Sequence, residues 1–225
     1  MSPNPKPQDG PATVFVADPA VLSLYNHDDY YFDIVLVAGW PLLTKTEDLQ
    51  CYEQFLKIVQ SCFSPEDYEG PRPTAYFYEP KYLHVTIATL YPMETQKPHD
   101  SEHIKNYFSQ MVDKASKHEA WPTEPFQLSI DSTQLGSKAG ILLWKELTGG
   151  LAKIREILEI VAVQEEREGT NSRWKIHSIP GIIHTTFLRF SKEPKTCGEL
   201  VQRQYQSKVV PVIQNIFPKV ISVPQ

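Results

Sequence analysis

Tyr82–Leu90 reads YLHVTIATL and Ile182–Phe190 reads IIHTTFLRF. In the first stretch Leu83, Val85 and Ile87 alternate with Tyr82, His84, Thr86 and Ala88, the two-residue period of a strand with one apolar face. The second is β-branched and aromatic, which also predicts a strand. Residues i and i+2 share a strand face, so His84 stands beside Thr86 and His184 beside Thr186. The two histidines are 100 positions apart, one in each half of the chain.

Around these strands the pattern supplies the remaining elements. Phe32–Trp40 is apolar and β-rich, a central strand. Thr46–Phe63 carries Leu49, Tyr52, Leu56, Val59 and Phe63 at helical spacing, with Thr46 as N-cap. Ser64–Pro73 reads as a loop and Ala75–Tyr78 as a short strand. Asp100–His118 is a helix with Ile104, Phe108, Met111, Val112 and Ala115 inward. Phe126–Asp131 and Ile141–Leu147 are strands joined by a turn at Leu135–Gly140. Gly149–Gly150 opens a helix striped by Leu151, Ile154, Ile157, Leu158 and Val161. Cys197–Phe217 is helical with a break at Pro211, and Lys219–Val223 closes as a strand. Irregular alternation of strands and helices, with implied hairpins, predicts an α+β fold.

The chain has 225 residues, 41% hydrophobic and 22% charged, which supports a packed core. The expected organisation is a disordered Pro-rich tail at 1–12 followed by one domain over 13–225. No apolar run approaches the roughly 20 residues of a membrane helix, and the N-terminus lacks a secretory pattern. Cys51 and Cys62 share one predicted helix about 16 Å apart, too far for a disulfide. With three cysteines and no metal-ligand spacing, a reducing location, cytoplasmic or nuclear, is expected. The net charge of −5 argues against a grip on long duplex nucleic acid, which needs a basic surplus. A small phosphorylated ligand or an RNA end remains compatible. A monomer with no membrane partner is expected.

An imidazole beside a hydroxyl is a unit suited to phosphate chemistry. The ring gives or takes a proton near neutral pH, and the hydroxyl bonds a non-bridging oxygen. Two units facing each other supply a base and an acid on opposite sides of one phosphorus, with two threonines on the phosphoryl oxygens. That mechanism calls for no cofactor, and no carboxylate-rich or Cys/His cluster suggests a metal. A single His-x-Ser/Thr carries little information, since about one chance match is expected among seven histidines. His99-Asp100-Ser101 is such a match, at a helix start where Ser101 or Asp100 reads as an N-cap.

The paired motifs His84-Val85-Thr86-Ile87 and His184-Thr185-Thr186-Phe187 resemble those of the two-histidine phosphoesterase superfamily, which includes LigT-like RNA ligases and 2′,3′-cyclic phosphodiesterases. The segment FQLSIDSTQLGSKAGILLWKEL (Phe126–Leu147) and its following helix are similar to that family's middle region. The resemblance runs from about Phe32 to Phe190. Thr185 departs from it, standing where the family usually has an apolar residue. The resemblance implies a two-lobed, pseudo-symmetric fold with two antiparallel-rich sheets around a cleft and helices outside. It implies His84, Thr86, His184 and Thr186 as catalytic residues. It also implies a metal-independent hydrolase of 2′,3′-cyclic phosphates or 2′-5′ phosphodiesters on nucleotides or RNA ends. A catalytically silent nucleotide-binding module, or a ligase running the reverse reaction, would use the same residues.

Four further residues are candidates for substrate binding. Tyr82 shares the His84 face and would stack a base; Tyr91 invites the same reading. Lys138, in the turn before Ile141, would approach a phosphate. Trp174, with Arg173, Lys175 and His177, would form a basic, aromatic flap before the second motif. Trp144 reads as core. The acidic stretches Asp28–Asp29 and Glu165–Glu168 read as solvated faces.

Overall fold

A computed structural model describes residues 13–21, 32–39, 46–94, 96–168 and 174–223, apart from the side chains of 46–48. The predicted tail, Trp40, Arg173 and the Asp28–Asp29 pair lie outside the described residues. The element order is β1 (Phe32–Gly39), α1 (Thr46–Gln60), α2 (Pro65–Tyr68), β2 (Ala75–Phe77), a 3-10 turn (Pro80–Tyr82) and β3 (His84–Glu94). There follow α3 (Ser101–Ser116), β4 (Phe126–Leu135), β5 (Ala139–Glu146), α4 (Gly150–Arg167) and β6 (His184–Phe190). The chain closes with α5 (Gly198–Lys208), a 3-10 turn (Val210–Val212), α6 (Ile213–Ile216) and β7 (Ile221–Val223).

The strands form two antiparallel sheets, β1-β3 and β2-β6-β5-β4-β7. The molecule is therefore α+β, and each histidine opens a strand of a different sheet. β3 meets the segment that leads into β6 where Thr89 and Ser178 exchange backbone hydrogen bonds of 2.8 and 3.0 Å. The N–H of His177 adds a bond to the Leu90 carbonyl.

Helical spacing explains the core. Tyr52, Phe55 and Val59 of α1 are buried, and Phe55 meets Phe187 edge-on at 4.8 Å. On α4, Leu151, Ile154, Ile157, Leu158 and Val161 are all buried, as the stripe predicts. Each such side chain contributes about 1.5–3 kcal/mol through burial. Trp144 is core, 5% exposed. Pro211 divides the last predicted helix into α5 and α6, as its missing N–H requires.

Several boundaries differ from expectation, and β4 and β5 extend into the predicted turn, to Leu135 and from Ala139. The loop at Ser64–Pro73 contains the short α2, held by a buried carboxylate. Asp67 accepts bonds from the Lys195 and Thr196 backbone N–H groups and from the Thr74 and Thr196 hydroxyls. Tyr82 belongs to the 3-10 turn, and β3 starts at His84 and continues to Glu94. Residues 13–21 cross the end of the larger sheet. There Val16 N–H bonds the Ser137 carbonyl, Asp18 N–H bonds the Phe190 carbonyl, and Phe15 packs on Phe190 at 4.5 Å. No helix among the described residues is long and apolar enough to cross a membrane, and Cys51, Cys62 and Cys197 are not joined in disulfides.

Candidate active site

His84 is the first residue of β3, paired with Gly39 of β1. Its apolar neighbours Leu83 and Val85 are buried while His84 itself is exposed. The ring is oriented by a 2.9 Å bond between Nδ1 and the Tyr82 carbonyl. A carbonyl only accepts, so Nδ1 carries the proton and Nε2 is left to exchange one. Thr86 follows on the same face, half-buried, opposite Val37.

His184 opens β6 opposite Leu143, and Thr186 lies opposite Ile141. Both are half-buried, while Thr185 between them is fully buried. Its hydroxyl oxygen accepts the Trp144 Nε1–H at 3.1 Å. The polar residue at an inward position therefore satisfies a buried indole donor, and it leaves His184 and Thr186 facing outward together.

Burial lowers the His184 pKa below the ordinary imidazole value, and the charges of Arg189, His84 and Arg155 lower it further. The two imidazoles thus lie within electrostatic reach of each other, although they belong to different sheets. Beneath them, Arg155 of α4 donates from Nη2 to the Thr86 carbonyl at 2.9 Å and from Nε to the Ile87 carbonyl at 3.1 Å. It also reaches the Ile182 carbonyl at 3.4 Å.

Arg189 was not legible from strict alternation, which puts it on the face opposite His184. The β5–β6 register shifts between Gly140/Leu188 and Ile141/Thr186, leaving Phe187 as an extra residue. Phe187 and Leu188 are consequently both buried, and Arg189 comes out on the histidine side. Gly140 makes the bulge possible, because a Cβ there would stand 2.6 Å from the Phe187 ring. The Arg189 guanidinium is ion-paired with Asp18 and hydrogen-bonded to Tyr78. Burial raises the Tyr78 pKa against the pull of that guanidinium.

The structure sorts the four substrate-binding candidates. Tyr82 is 50% exposed beside His84, with the Lys81 ammonium 4.8 Å from its ring centroid. Tyr91 lies at the far half of β3, seven residues or roughly 20 Å from His84; its hydroxyl donates to Glu94 and its ring meets Phe32. Lys138 sits beside the far end of β6, its carbonyl taking the Phe190 N–H. Trp174 packs on Tyr107 of α3 at 5.7 Å, and Lys175 pairs with Glu166. The flap segment is thus docked against the helices. Glu165 of the acidic stretch binds Lys114 at 2.7 Å. Asp100 holds the N-cap position of α3, which accounts for the third His-x-Ser match. Among the described residues no group of three His, Cys, Asp or Glu is placed to hold a metal ion.

No family profile matches the sequence, and no curated protein does. Solved structures do align. Escherichia coli LigT complexed with 3′-AMP matches at 15% identity and a TM-score of 0.41, over 87% of this chain and 83% of that one. Kluyveromyces marxianus Usb1 with uridine monophosphate matches at 11% identity and a TM-score of 0.43, over 87% and 96%. A structure described as a phosphoesterase matches at 16% identity and a TM-score of 0.40, over 87% and 84%. These alignments are similarities of chain course.

Proposed function

We propose that this chain is a phosphodiesterase of the two-histidine type, cleaving 2′,3′-cyclic phosphate or 2′-5′ phosphodiester bonds of nucleotides or RNA ends. The observation that carries this reading is the convergence of His84 and His184 from separate sheets into mutual electrostatic range. His184, whose environment favours the neutral ring, takes the proton of the attacking oxygen. His84 delivers a proton from Nε2 to the leaving ribose oxygen while Tyr82 holds Nδ1. Thr86 and Thr186 hydroxyls bond the non-bridging oxygens, and the Arg189 cation offsets the charge that grows on them. Tyr82 offers the nucleobase a stacking surface. The cycle is complete with protein groups and water alone.

The test is turnover of 2′,3′-cyclic mononucleotides, cyclic-phosphate-ended RNA and 2′-5′ dinucleotides in the presence of EDTA. His84→Ala and His184→Ala are each expected to lower kcat by about 10²–10⁴-fold while far-UV circular dichroism is unchanged. Near-wild-type turnover by either variant rejects the assignment. Nucleotide binding without product from the wild type identifies a silent binding module instead.

A further inference from the structure

We propose that Arg155 is a positioning residue that sets the spacing of the two histidine-bearing strands by tying the backbone of β3 to the segment that leads into β6. The inference rests on the phosphodiesterase reading for its catalytic consequence, though not for its geometry.

Among the described residues β3 pairs with one strand, β1, apart from the bridge at Thr89. Its register with β1 shifts between Leu36/Ala88 and Val37/Thr86, leaving Ile87 without a cross-strand partner. Arg155 donates to the two consecutive carbonyls at that irregularity, Thr86 and Ile87. Thr86 is itself half of the first motif. The third acceptor, Ile182, lies two residues before His184. One planar guanidinium therefore ties the first motif to the approach to the second.

The guanidinium is in turn referenced to the larger sheet. Glu146, at the end of β5, accepts the N–H groups of Leu151 and Ala152 and so caps α4 one turn before Arg155. β5 is the hydrogen-bonded neighbour of β6. Leu151, Ile154 and Leu158 seat that helix face in the core. Burial lowers the Arg155 pKa, with the Glu146 charge opposing, yet an arginine stays charged under all folding conditions. The fork spans three acceptors that the point-like ammonium of a lysine cannot serve together. A misplacement of about 1 Å between reacting groups costs on the order of 10²-fold in rate, so a brace here acts on kcat.

The experiment measures communication between the rings directly. His184 is titrated by NMR with and without His84→Gln, and the difference in midpoint reports how strongly the two rings feel each other. In the wild-type background, removing the His84 charge is expected to raise the His184 midpoint. In Arg155→Lys, which keeps a cation, that response is expected to fall by about half or more. There kcat is expected to drop about tenfold or more with KM nearly constant. Arg155→Met should show the same loss. Ile157→Val loosens the same helix without touching the bridged carbonyls and should keep both response and kcat. Absence of any wild-type response overturns the proposal. So does a full response with kcat within about twofold of wild type in folded Arg155→Lys. If Arg155→Met does not fold, Arg155→Lys decides. A wild type that turns over no substrate removes the phosphodiesterase reading, and the ring response alone then decides the role of Arg155.

Discussion

At the scale of single residues, the depressed pKa of His184 makes two observable claims. Its folded value lies below the unfolded value of about 6.5, so between the two the unfolded chain binds more protons. Stability therefore declines as pH falls through 6.5 and levels off once the folded ring also protonates. Urea midpoints measured from pH 7.5 to 5 should show that decline in the wild type and a smaller one in His184→Gln. The acid limb of kcat/KM should likewise lie below the ordinary imidazole range. Thr185 makes an opposite kind of claim. Thr185→Val removes the hydroxyl that accepts the buried Trp144 indole N–H, costing about 1–3 kcal/mol in chemical denaturation, with kcat unchanged. The two His-x-Thr pairs were legible because strand alternation places each imidazole with its hydroxyl. Arg189 was not, since the bulge at Phe187 inverts the alternation after Thr186. Arg155 was not, since an arginine between Ile154 and Ile157 reads as the flank of an apolar stripe. Only the third dimension shows the carbonyls it serves.

At the scale of elements, the long periodic helices and the alternating strands were readable, whereas α2 was not. Its four residues contain no period, and what fixes them is a contact 128 positions away, from the Lys195 N–H to the Asp67 carboxylate at 2.7 Å. Burial acts to raise the Asp67 pKa. The bonds from Thr196, Lys195 and Thr74 outweigh it, and the net displacement is downward. The stabilisation is therefore present above the unfolded carboxyl value of about 3.9 and is lost as pH falls through the lower folded one. Asp67→Asn should cost about 2–3 kcal/mol at pH 7, and urea titrations at pH 7 and pH 3 should show that cost shrinking in acid. Tyr91, Lys138 and Trp174 were plausible by residue type. Tyr91 lies in the far half of β3, Lys138 bonds the Phe190 end of β6 and Trp174 packs on Tyr107, placements set by strand length and helix docking that a local window does not contain.

At the scale of the molecule, two sheets of unequal size must hold one pair of rings in register. The bridge between Thr89 and Ser178 and the Arg155 brace tie β3 to the segment that leads into β6. Ser178→Pro removes the N–H that reaches Thr89, and should lower stability by about 1–2 kcal/mol together with kcat. Ser178→Ala keeps both backbone bonds and should change neither, as melting and turnover assays would show. The segment before β1 has its own bearing on this assembly. A shortened polypeptide beginning at Phe32 would retain both imidazole strands and the helices α1 to α6. It would nonetheless leave the Arg189 guanidinium without the Asp18 carboxylate that aims it, and uncover Phe190. Trimming the leading residues to Phe32 would thus yield a protein with both imidazole strands in place and the Arg189 side chain deprived of its anchor.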